Sequence, residues 1–168
     1  RMTVLVLMVA IVLGGVVQAT LPAVSAAGGV QVPFMVGIVI YYALTRDIAI
    51  LLTAAIVAGL VVDAMGLMPL GYTSFCYVLV GLGAQRYRET VVVRQWTTHV
   101  LFGAMANGLV ALMLSLMLGL SRISDIGVGW ALAKISGAFV AGAIVVPFVF
   151  RFVAYLDRMV GNVHAEET

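Results

Sequence analysis

The chain has 168 residues, of which 64% are hydrophobic and only 10% charged, and its mean hydropathy is +1.19; soluble domains run at about 45–50% apolar and about 25% charged. This composition excludes a water-soluble domain and points to an integral membrane protein, in which the positions of the charges matter more than their formal sum of +2. The one cysteine, Cys76, lies within an apolar run, which excludes a disulfide framework or thiolate metal site and makes it a small core residue.

Crossing a bilayer core of about 30 Å takes about 20 helical residues, and segments of that order follow one another down the sequence. Residues 3–21 form the first. Its apolar run exceeds the roughly 7–15 residues of a signal core, so it is expected to be a retained helix, closed by Pro22 and the loop PAVSAAGG. The second, 33–44, is short and opens on Pro33, a residue suited to a helix start because its missing N–H has no partner to lose there. Arg46 and Asp47 separate it from the third, 48–67, which runs into a Gly66–Pro69 break. A fourth at 70–85 leads to the polar stretch QRYRETVVVRQ, a fifth occupies 96–120, and SRISDIGVG supplies a turn with Ser and Asp as cap formers. The sixth, 129–150, is expected to stop at Arg151.

The reading is therefore an all-α, six-transmembrane-helix bundle forming one domain over 1–160, with 161–168 as a polar tail. Orientation follows from the arginines. If all six segments cross, Arg1, Arg46, Arg86, Arg88, Arg94, Arg151 and Arg158 fall on one side and Arg122 on the other, which places both termini in the cytoplasm. The Arg86, Arg88 and Arg94 loop reads as a cytoplasmic topology determinant, with anionic membrane lipid or a cytoplasmic partner as secondary readings.

Charges in hydrocarbon cost about 2.5–3.5 kcal/mol on insertion scales, so each needs a partner or a purpose. Asp63 and Lys134 both fall in the outer half of the bundle. Three readings of Asp63 are open: an ion pair with Lys134 that selects one helix arrangement, a cation or proton site, or an anchor accepting backbone N–H bonds at the turn between the third and fourth segments. Gln18 and Asn107 are placed to hydrogen-bond between helices at about 0.6–2 kcal/mol each. His99, with no second ligand at metal spacing, reads as an interfacial residue. The small residues Gly137, Ala138, Ala141 and Gly142 recur at four-residue spacing, which suits close helix packing. No catalytic motif, cofactor signature, metal-ligand spacing or nucleic-acid surface is present in the sequence, and a non-enzymatic role is expected.

The run from Val32 to Glu89, about a third of the chain, resembles the bacterial rod shape-determining protein MreD. The resemblance rests on Pro33 opening the second segment, the charged turn Arg46–Asp47, the Gly-x-x-x-Asp of Gly59 to Asp63, and the pair Leu70–Gly71. It implies a non-catalytic component of the cell-elongation machinery (the elongasome) in the bacterial inner membrane. Its expected partners are the scaffold protein MreC, a SEDS glycosyltransferase with its transpeptidase for peptidoglycan synthesis, and, indirectly, MreB filaments. The family is similar in fold to the S components of energy-coupling-factor vitamin transporters, which supplies an alternative. An S component needs an outer pocket that reads a vitamin, and the outer polar inventory here is thin: Gln18, Asp63, Lys134, Trp130, Arg122 and Asp125.

Overall fold

The computed structural model describes residues 2–20, 33–66, 69–87, 96–120 and 128–159. Among these it is all-helical, with α1 (Met2–Thr20), α2 (Phe34–Thr45), α3 (Ile48–Gly66), α4 (Tyr72–Arg86), α5 (Trp96–Leu120) and α6 (Val128–Met159) and no strand. Four of them, α1, α3, α5 and α6, are long and apolar enough to cross a membrane.

The short helix α2 is the centre of the bundle. All ten residues from Met35 to Leu44 are buried, and α2 packs against each of the other five helices. A helix that is apolar around its whole circumference gains most by being enclosed on every side, and Tyr42, Met35, Ile38 and Ile40 are fully enclosed. Around it stand two helical hairpins, α3–α4 and α5–α6, with α1 against α2, α3 and α6. The outer surface is as apolar as the core: Val4, Leu5, Met8, Val12 and Val16 on α1 and Leu101, Met105, Leu109, Leu112 and Leu116 on α5 are all exposed. Water penalises a surface of that kind and hydrocarbon does not.

Helix ends depart from the sequence expectation in two places. Leu70 and Gly71 form a turn, and α4 begins only at Tyr72. The sixth helix does not stop at Arg151 but continues to Met159, 32 residues in all and about 48 Å long. Arg151 is its twenty-fourth residue, beyond the length that about 30 Å of hydrocarbon requires, so the charge does not oppose helix formation there. Val146, Val149, Val153 and Asp157 form one buried stripe at three- and four-residue spacing that runs through this continuation. Pro147 lies inside this helix.

Candidate functional site

The C-terminal end of α3 and the start of α4 are joined through one carboxylate. Helix starts expose N–H groups without intrahelical partners, and these carry partial positive charge. Asp63 lies one turn before the end of α3 with no exposed surface. Its Oδ2 accepts from Gly71 N–H at 2.7 Å, and its Oδ1 and Oδ2 accept from Thr73 N–H at 3.1 and 3.3 Å. The backbone must bend back sharply to present these amides. Gly71 does so at φ +102°, a conformation that side chains with a Cβ resist.

About one turn lower on α3 the two helices touch backbone to backbone. A Cβ on Gly59 would overlap the Ser74 main chain, and the Ser74 hydroxyl donates to the Ile56 carbonyl at 3.1 Å. Gly59, Asp63 and Gly71 therefore belong to one structural unit. Of the three readings of Asp63, the geometry is that of the anchor. An ion pair with Lys134 is not formed, because α3 and α6 do not pack against each other and the carboxylate faces the α4 amides. Lys134 sits half-buried on α6.

Asn107 and the small-residue pattern meet at the α5–α6 interface. Asn107, buried, donates from Nδ2 to the Ala138 carbonyl at 2.7 Å. Its neighbours are Gly103 and Gly142, which face each other so closely that a Cβ on either would strike the opposite backbone carbonyl. Ala138 and Gly142 lie at this contact, whereas Gly137 and Ala141 are only half-buried. Gln18 is buried on α1, Pro33 stands at the N-cap of α2, and its carbonyl accepts from Gly37 N–H at 3.2 Å. Cys76 is fully buried.

A second polar junction, not singled out from sequence, joins α2 to α6 at the other end of the bundle. Asp157, 3% exposed, accepts the Tyr41 hydroxyl at 2.8 Å and pairs with the Arg46 guanidinium at 3.4 Å, both on Oδ2. Gln85, at the end of α4, donates to the Arg46 carbonyl at 3.4 Å. The Tyr41 ring stands edge-on to Phe150, against which the ring of His99 on α5 packs at a tilt of 40° and a centroid distance of 4.3 Å. His99 is thus a packing residue between α5 and α6. The junction was hidden because its acid lies 111 residues from Arg46 and beyond the expected end of the sixth segment.

Arg86 is exposed at the last position of α4, while Arg88, Arg94 and the tail 161–168 lie outside the described residues. No group of three or more His, Cys, Asp or Glu side chains able to hold a metal ion occurs among the described residues. Compared with known proteins, the chain matches no family model, no curated protein and no solved structure.

Proposed function

We propose that the chain is a MreD-like, non-catalytic component of the bacterial elongation machinery, a multi-pass protein of the cytoplasmic membrane that binds MreC and helps organise peptidoglycan synthesis and rod shape. The observation that carries this reading is the α3–α4 unit, to which three of the residues that carry the resemblance contribute, while Pro33 and Arg46 lie elsewhere in the bundle. Gly59 permits the helices to approach, Asp63 holds the start of α4, and Gly71 makes the turn.

The joint also stiffens the end of the bundle opposite the Arg46–Asp157 junction. In the six-span topology that end faces the periplasm, where an extracytoplasmic scaffold is met, and both chain termini face the cytoplasm. Two features favour that topology. Arg46, Gln85 and Asp157 bring the C-terminal ends of α2, α4 and α6 to one end of the bundle, and this is the end rich in arginine. The Asp63 carboxylate, filled by backbone amides, then serves to shape a surface for a partner.

The test is purification of the tagged full chain from its native membrane in mild detergent, with identification of what co-purifies. Recovery of a single-span coiled-coil scaffold with peptidoglycan synthases is the expected result, and Asp63→Asn is expected to reduce that recovery while membrane insertion persists. Recovery of an ATPase pair with a transmembrane transducer overturns the proposal in favour of a vitamin-binding subunit.

A further inference from the structure

We infer that the α2–α6 junction binds one internal water molecule, held between the Tyr42 hydroxyl and the Asp157 carboxylate. Asp157 uses one oxygen for the contacts described above: Oδ2 accepts from Tyr41 and pairs with Arg46. Its other oxygen, Oδ1, is buried and has no hydrogen-bond partner among the described residues, and the same holds for the Tyr42 hydroxyl. Asp157 is 3% exposed and Tyr42 not at all. Buried polar atoms are nearly always satisfied, by protein or by ordered water, so two unmet atoms at one junction point to a molecule that meets both.

The two atoms belong to the same place. Tyr41, whose hydroxyl bonds Asp157, packs edge-on against the Tyr42 ring at a centroid distance of 5.3 Å. The charges of Asp157 and Arg46 both act on the Tyr42 hydroxyl, although that hydroxyl makes no direct bond to the carboxylate. The bridging molecule must be small, must donate to a carboxylate oxygen, and must meet a hydroxyl that can either donate or accept. The surroundings are otherwise apolar. Val153 and Phe150, one and two turns before Asp157 on the same face of α6, are buried, as is Ile38 one turn before Tyr42 on α2.

Charge selects water over a cation. Asp157 and Arg46 already balance each other, so an added cation would leave net positive charge in an apolar setting, where an uncompensated charge is costly. Water adds none. Internal waters make about three hydrogen bonds each, to polar groups that would otherwise go unmet; here Asp157 Oδ1 accepts one and the Tyr42 hydroxyl gives or takes another. The Arg46 side chain is 16% exposed against 4% for that of Asp157, so the water exchanges with solvent past Arg46.

The full chain in maltoside detergent is exposed to millisecond X-ray pulses, and side-chain hydroxylation is read by mass spectrometry. Radicals formed in bulk solvent do not reach an enclosed side chain, whereas a bound water ionised in place labels the residue beside it. Tyr42 is expected to be labelled at least tenfold faster than Met35, which is equally enclosed and carries a more reactive sulfur. Tyr42→Phe then gives a sign. If the hydroxyl holds water, its removal takes the bridge from Asp157, and both the melting temperature, by several degrees, and the labelling at position 42 are expected to fall. A hydroxyl buried without any partner is a net cost, and its removal would raise the melting temperature. Replacing sodium by choline in the buffer is expected to leave melting unchanged. Tyr42 as silent as Met35, a Tyr42→Phe variant more stable than the parent, or melting that depends on sodium, the mark of a bound cation, would overturn the assignment. The assay contains no partner protein, so its failure leaves the elongation-complex proposal standing, and the reverse also holds.

Discussion

Removing the Asp63 carboxylate tests the α3–α4 joint directly. In Asp63→Ala the amides of Gly71 and Thr73 lose their acceptor. The Thr73 amide is buried and the Gly71 bond partly so, and an unsatisfied buried donor costs about 1–3 kcal/mol. The expected loss is therefore about 3 kcal/mol. Asp63→Asn keeps one oxygen able to accept but gives up the charge opposite a helix start, and is expected to cost about 1–2 kcal/mol. Denaturant unfolding in detergent micelles, followed by near-ultraviolet circular dichroism, measures both. Two controls give the result its meaning. Thr73→Val removes a buried hydroxyl that accepts and donates no bond among the described residues, so it is expected to be near neutral, since the carboxylate holds the Thr73 main chain and not its side chain. A double-mutant cycle between Asp63→Asn and Lys134→Gln is expected to be additive within about 0.5 kcal/mol, as for residues that do not touch. An Asp63→Ala variant as stable as the parent, or a coupling of about 1 kcal/mol or more with Lys134, would refute the anchor.

At Gly71, where φ is +102°, alanine is expected to destabilise by about 1–2 kcal/mol in the same unfolding assay. At the α2–α6 junction, Arg46→Gln leaves the buried Asp157 charge without its cation and is expected to cost about 3 kcal/mol, whereas Arg86→Gln, exposed at the end of α4, stays within about 0.5 kcal/mol. Tyr41→Phe removes one hydrogen bond to a carboxylate and is expected to fall between these, at about 1.5–3 kcal/mol. Asn107→Leu is expected to cost about 0.6–2 kcal/mol through loss of the bond to the Ala138 carbonyl, with additional overpacking if the side chain cannot fit beside Gly142.

The joint and the junction differ in how far they could be read from sequence. Asp63 stood out as a carboxylate in an apolar run, and its partners lie only eight and ten residues ahead, across a turn marked by glycine and proline. The local geometry of a helix start was enough to suggest them. Lys134 was an equally good candidate on depth alone, and only the arrangement of helices removed it, because α6 does not pack on α3. Asp157 gave no such signal. It lies among charged residues near the end of the chain, where a solvated charge is the ordinary expectation, and its burial depends on α6 continuing past Arg151 and on α2 ending beside it.

The sequence by itself determined the helical class and the approximate place of each apolar segment, because these depend on hydropathy within single segments; it read six of them as crossing, where four helices are long and apolar enough to do so. The tertiary structure alone decided that the shortest helix, α2, is the enclosed centre, that Asp63 is held by amides and not by Lys134, and that Arg46 and Asp157 close the opposite end. The reason is physical: nearly every segment is apolar on all sides, so hydropathy distinguishes no inner face. Which faces meet is set by shape, by where a glycine lets two backbones approach, and by the few polar groups that must find partners across helices.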